Sequence, residues 1–263
     1  MNKFILLFKK KLIPEVNTFF EAESYCNSKM PLGYQSKLLC EYRFSKLDLF
    51  LKNGGSLIKG SSINTLLICI SYFLNLNNGK FPNFIDFGGA CGENILFLES
   101  IFGKSINKIS YVVETNAQIV EANKWNFVRN VKFENNLDKV LEHNIDLFFT
   151  SCALNYIEDP YEILKKVVNK LIPCVCLTRN NFSIHPKPFI QVSNLSENGL
   201  GEHINDYGNP LIWYPSQTLC EKTIKEIFLS SNYKLIFEDD LVNSGVLNSN
   251  SNYSKDLIFH LKD

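Results

Sequence analysis

Eleven residues, Phe84-Ile85-Asp86-Phe87-Gly88-Gly89-Ala90-Cys91-Gly92-Glu93-Asn94, constrain this chain more than any other stretch. A short apolar run enters a glycine-rich turn, and the turn opens into Ile95-Leu96-Phe97-Leu98, an apolar helix start. Glycine tolerates positive φ and leaves backbone N–H groups bare, so such a turn at a helix N-terminus suits a nucleotide-like ligand. A second apolar run, Ile109-Ser110-Tyr111-Val112-Val113, ends in Glu114. An acidic residue roughly twenty positions past the glycines is placed to hold ribose hydroxyls.

The texture around this turn predicts the fold. Short apolar runs at 83–88, 109–114, 130–134, 145–151 and 173–178 alternate with helical patterns at 92–102, 116–126, 136–142 and 160–171. Such alternation describes parallel strands joined by right-handed crossover helices. A helix at 216–230 and strands at 233–239 and 256–262 close the chain, the last two reading as an antiparallel hairpin around a polar tract at 243–255. The expectation is an α/β fold: a doubly wound, mostly parallel seven-stranded, Rossmann-like sheet. Ligands bind such sheets beyond the carboxyl ends of the strands. Glu114, the glycine turn and the run Thr150-Ser151-Cys152-Ala153 share that edge.

Helical patterns at 15–30, 35–52 and 62–76 make residues 1–80 an N-terminal cap or lid on a core of 81–263, with no linker between them. Residues 179–214 show little periodicity and carry Arg179, His185, His203, Tyr207, Trp213 and Tyr214. An aperiodic segment of that length within a domain is usually functional, here a substrate-side insertion.

Composition narrows the classes. Lys plus Arg and Asp plus Glu are each 27, so no general attraction to nucleic acid is built in. The eight cysteines lack paired CxxC spacing and read as buried thiols, with no metal site expected. Residues 1–8 hold too short an apolar run for a signal peptide or a span. With Lys9-Lys10-Lys11 they read as a helix capping the domain or as a weak peripheral membrane contact, and the expected compartment is cytoplasmic.

The spacing of the turn separates two chemistries. A nicotinamide or flavin site wants G-x-G-x-x-G, which neither Gly88 nor Gly89 begins. An S-adenosylmethionine site wants an acid two before the first glycine and glycines at alternate positions; Asp86, Gly88 and Gly92 comply, with Ala90 in the middle slot. At these residues the chain resembles the class I S-adenosylmethionine-dependent methyltransferases, over about 80–262. Over about 18–240 it resembles a bacterial methyltransferase family associated with surface-polysaccharide biosynthesis. That closer likeness rests on Gly33-Tyr34, the 86–92 turn, Val112-Val113-Glu114, Ser151 to Ile157 with Asp159-Pro160, Thr178-Arg179-Asn180 and Trp213 to Ser216.

The resemblance implies that Asp86 and the backbone of Gly88, Gly89, Ala90 and Gly92 serve the amino-acid end of S-adenosyl-L-methionine, with Glu114 on the ribose. It adds Tyr34, Thr115, Ser151 and Ala153 to the cofactor set, and Asn136 after the third strand for adenine. Asp86 as a turn cap and Glu114 as a helix N-terminal acid are the structural alternatives. For catalysis the candidates are Tyr156, a site wall, acid/base or packed aromatic; His185 and His203, bases or solvated loop residues; and Arg179, a partner for a substrate anion or a structural acid. The implied reaction is methylation of a small polar acceptor, an oxygen of a sugar, nucleotide-sugar or other surface-glycan (capsule) precursor. A catalytically degenerate cofactor-binding partner in a glycan-biosynthesis complex is the rival, and a dehydrogenase a third reading that the glycine spacing opposes.

Overall fold

The computed structural model describes residues 13–29, 33–55, 61–103, 109–125, 131–240 and 252–262. The basic N-terminal segment at 1–11 and most of the 243–255 tract fall outside them.

The apolar run before the glycine turn is β1 (Phe84–Phe87), paired in parallel with β2 (Ser110–Val113) on one side and β4 (Leu147–Ser151) on the other. β3 (Val131–Glu134) lies beyond β2, and β5 (Cys174–Ser183) beyond β4, both parallel. β8 (Tyr233–Asp240) and β9 (Asn252–Leu261) complete the sheet antiparallel, in the order β3-β2-β1-β4-β5-β9-β8. Successive side chains point to opposite faces, and both faces are covered, so the central strands are apolar until their carboxyl ends, where Asp86, Thr150 and Thr178 stand. One face packs Ile85, Phe148 and Val175 against α7 (Pro160–Asn169) and α8 (Glu221–Leu229) through Leu164, Val167, Ile224 and Phe228. The other packs Phe84, Phe149 and Cys176 against α3 (Ser61–Leu76) and α4 (Glu93–Phe102) through Leu66, Ile70, Phe73, Ile95 and Leu98. Each fully buried side chain of this size contributes about 1.5–3 kcal/mol.

Of the N-terminal stretch, α3 packs on the sheet, α2 (Lys37–Lys52) reaches its edge with Phe44 beside Phe133 of β3 (6.4 Å between ring centroids) and Leu47 in the same cluster as Cys91, and α1 (Phe19–Lys29) shares no core cluster with the sheet. α1 and α2 share their apolar sides with a two-stranded antiparallel ribbon, β6 (Pro188–Asn194) and β7 (Leu211–Gln217). Ile190, Val192 and Trp213 meet Ala22 and Cys26 of α1. Ile212 and Tyr214 meet Leu39 and Tyr42 of α2.

The 179–214 stretch, where the sequence shows little period, holds the end of β5, all of β6 and the start of β7, with 3-10 turns at Leu195–Glu197 and Asn205–Tyr207 between the ribbon strands. β5 runs on to Ser183, and β6 and β7 pair with each other, each alternating over only seven residues, with Ile190, Val192 and Trp213 on the face toward α1 and Ile212 and Tyr214 on the face toward α2. Residues 216–217 pair with Phe189 and Pro188 and so belong to β7, and the helix expected from 216 begins at Glu221. α5 (Asn116–Ala122) stops before the expected 126, in a turn where the Trp125 indole N–H reaches back to the Glu121 carboxylate (3.1 Å). α6 (Leu137–Leu141) follows β3. No helix among the described residues is long and apolar enough to cross a membrane.

Candidate functional site

Asp86 ends up 1% exposed at the carboxyl end of β1. One carboxylate oxygen accepts from the Asn94 side-chain amide (3.0 Å), and the other, Oδ1, is buried without a partner. Burial pushes this carboxyl up to about 7; the Asn94 bond pulls it down, and the charges of Glu93 and Glu114 push it further up. Two of the glycines are demanded by contact. A Cβ on Gly88 (φ +71°) would fall 2.3 Å from the Ala153 Cβ, so the β1 turn closes on the turn after β4 only with glycine there. A Cβ on Gly89 would fall 2.4 Å from the Asp86 Cγ, so glycine lets the loop backbone rest on the carboxylate. Ala90 takes a left-handed φ of 52° where the family pattern has glycine, at a cost of about 1–2 kcal/mol.

Glu114 spans from β2 to this loop. Its Oε1 accepts the Ala90 N–H (3.0 Å) and its Oε2 the Thr115 N–H (2.9 Å). Thr115 caps α5 through the Gln118 N–H (3.4 Å), and Asn136 caps α6 through the Lys139 N–H (3.3 Å). Glu114 thus stands at the N-terminal end of α5, in the manner of its structural alternative, and Thr115 and Asn136, expected to serve the cofactor, cap helices with their side-chain oxygens.

Across the sheet edge, the Ser151 hydroxyl accepts from the Arg179 Nε (2.8 Å), and Arg179 itself is exposed. Arg179 occupies a bulge of β5 with φ of 54°, held because its N–H donates to the buried Asp256 carboxylate (2.7 Å). Cys152 follows with φ of 64°; burial raises its thiol and the Arg179 charge lowers it. The 3-10 turn Ala153–Tyr156 is clamped by Asn155, fully buried, whose amide donates to the carbonyls of Asn181 (3.0 Å) and Gln217 (2.7 Å) and whose oxygen accepts the Asn181 N–H (3.2 Å). This sets Tyr156 edge-on to Tyr34, 4.9 Å between ring centroids, with its hydroxyl donating to Gln191 Oε1 (2.9 Å). Tyr34 leans on Tyr214 at 4.3 Å. Burial raises the hydroxyls of both Tyr34 and Tyr156, so both are protonated donors near neutral pH.

The structure thus gathers the 86–92 turn, Glu114, Ala153, Ser151, Arg179, Tyr34 and Tyr156 along one edge. It does not gather the histidines with them. His203 pairs through Nδ1 with the Tyr42 hydroxyl of α2 (2.9 Å). His185 sits exposed in the turn from β5 to β6, its N–H on the Ser183 hydroxyl (3.2 Å). The long extension of β5 carries that turn outward, which sequence alone left as an undivided loop.

Two residues near the turn escaped the sequence reading. Glu93 folds back so that its Oε2 accepts the Cys91 N–H (3.0 Å); burial raises its carboxyl, and Arg43 lowers it. Arg43 comes from α2, an element with no motif of its own. The available signal was its rarity: only Arg43, Arg129 and Arg179 among 27 basic residues are arginines.

No protein-family model matches the chain, and no curated protein matches it by sequence. Solved structures do. A S-adenosylmethionine-dependent methyltransferase from Clostridium acetobutylicum superposes with TM-score 0.50 at 14% identity, over 85% of this chain and all of that one (100%). The fold is a Rossmann-like methyltransferase fold. The magnesium protoporphyrin IX methyltransferase of Synechocystis PCC 6803 with bound SAH gives 0.48 at 10% identity, over 84% of this chain and 96% of that one. The N-terminal domain of EvdMO1 with SAH bound gives 0.47 at 12% identity, over 78% and 83%.

Proposed function

We propose that this chain is an S-adenosylmethionine-dependent methyltransferase acting on a small polar acceptor. The observation that carries the reading is the orphaned Asp86 Oδ1, a buried acceptor beneath a turn whose two glycines cannot take a Cβ. A buried acceptor without a partner costs about 1–3 kcal/mol, which an ammonium donor would relieve. These residues fit the cofactor: Asp86 and the 88–92 backbone would hold its amino-acid end and Glu114 its ribose, with Ser151 and Ala153 lining the neighbouring turn.

When bound, S-adenosylmethionine supplies an electrophilic methyl group, so the protein's task is to align an acceptor for in-line displacement. Tyr34 and Tyr156 form an aromatic wall that would shape the acceptor's side of the site, the Tyr156 hydroxyl itself being held by Gln191. Arg179, exposed beside Ser151, suits an anionic or hydroxyl-rich group at the mouth. A glycan precursor methylated on oxygen agrees with this polar rim and with the family resemblance in the sequence. The clamp of Asn155 on β5 and β7 sets the wall rigidly.

Titration calorimetry with S-adenosylmethionine and S-adenosylhomocysteine tests the cofactor; no heat at sub-millimolar concentration would end this reading. Transfer of labelled methyl into a pool of nucleotide-sugars tests the acceptor. A second reading, a silent cofactor-binding partner, is favoured by one feature: both Glu114 oxygens already accept backbone N–H groups. Binding without any labelled product across acceptor pools would support it.

A further inference from the structure

The second orphaned group beside the glycine turn is a donor. The Arg43 Nε of α2 is buried and has no hydrogen-bond partner. Burial works against its charge, yet the nearby Cys91, Glu93, Glu114 and Tyr34 hold the guanidinium protonated. The two carboxylates that act on it are spoken for by loop amides: Glu93 accepts Cys91 N–H, and Glu114 accepts Ala90 and Thr115 N–H. From the other side Arg43 is covered by backbone. A Cβ on Gly199 would fall 3.3 Å from the Arg43 Cγ, and that loop is latched to α2 by Lys46, whose ammonium donates to the carbonyls of Ser196 (2.9 Å), Asn198 (3.0 Å) and Gly199 (3.1 Å). The Gly199 loop thus covers the stem of Arg43.

Resting on the cofactor reading above, we propose that Arg43 binds the carboxylate of the cofactor's amino-acid end, so that α2, outside the sheet, completes the pocket. Arg43 Nε and Asp86 Oδ1 are one unmet donor and one unmet acceptor at the same turn, the complement of a zwitterion carrying a carboxylate and an ammonium. The planar guanidinium gives a forked donor that a lysine ammonium does not reproduce.

The test compares S-adenosylhomocysteine with 5′-methylthioadenosine, the same nucleoside thioether without the amino-acid end, by calorimetry on the full chain. For Arg43→Met the expected result is roughly 10- to 100-fold weaker binding of the homocysteine ligand, with the methylthioadenosine constant unchanged within about twofold. Arg43→Lys should fall between. Because Arg43 is also the counter-charge of the buried Glu93, Arg43→Met should lower the melting temperature of the ligand-free chain somewhat, and both binding constants are measured well below it. Equal loss of both ligands, loss of neither, or a lowered melting temperature with parallel loss of both would overturn the assignment and make Arg43 structural. Wild-type protein that binds neither ligand would instead remove the cofactor reading and this inference with it, whereas wild-type binding with an indifferent Arg43→Met removes the inference alone.

Discussion

Asp86 offers the sharpest perturbation, because its carboxyl is 1% exposed, half satisfied and pushed up to about 7 in the ligand-free chain. Relative to the ordinary 3.8, that preference for the neutral acid corresponds to about 4 kcal/mol. The sign follows from proton counting. The folded chain holds this proton over a range where the unfolded chain has lost it, so the associated stability is full below the ordinary value and is lost as pH rises through about 7. Binding of an ammonium has the opposite preference, since it needs the carboxylate. About one-tenth of Asp86 is ionised one pH unit below its midpoint and about nine-tenths one unit above, so affinity for S-adenosylhomocysteine should rise roughly tenfold between about pH 6 and pH 8. Calorimetry in two buffers of different ionisation enthalpy should show about one proton released on binding near pH 6. Asp86→Asn should weaken binding and flatten the profile. A wild-type affinity that is flat across this range, or an Asp86→Asn variant that keeps the slope, would refute the role given to Asp86.

Gly88→Ala places a methyl 2.3 Å from the Ala153 Cβ at a left-handed φ, and should cost about 2–4 kcal/mol in urea unfolding. Adding Ala153→Gly should recover part of that loss, since it removes the contact but leaves the backbone strain. Asn155→Ala strips three buried hydrogen bonds joining the Tyr156 turn to β5 and β7, and should lower stability by about 2–4 kcal/mol by thermal melting; a change within about 0.5 kcal/mol would show the clamp to be dispensable. Lys46→Met leaves three carbonyls without their ammonium donor, so amide exchange across 195–201 should accelerate while β1 and β4 stay protected.

Much of this molecule is legible in its residues one stretch at a time. The parallel strands read as continuous apolar runs because both sheet faces are covered, and the glycine turn with Glu114 reads as a ligand site because strand ends and helix starts have local signatures. The ribbon of β6 and β7 was not legible. Its strands alternate over only seven residues each and are separated by 195–210, which holds two 3-10 turns in place of a short hairpin turn, while the helices α1 and α2 that cover it lie far earlier in the chain. Helix and strand limits near 122, 183 and 221 escaped for a related reason: pairing partners and capping bonds, rather than propensity, end those elements.

The sequence by itself determined the architecture of the sheet and the position of the glycine turn, because glycine spacing, an acid after the second strand and apolar periodicity act over a few residues. Only the tertiary structure decided which side chains share the sheet edge. It turned His185 out to solvent, tied His203 to Tyr42, brought Tyr34 against Tyr156, and set Arg43 near Glu93 and Glu114. Those distances depend on how α2 and the ribbon pack over the sheet edge, and packing between segments far apart in the chain leaves no periodic trace in either.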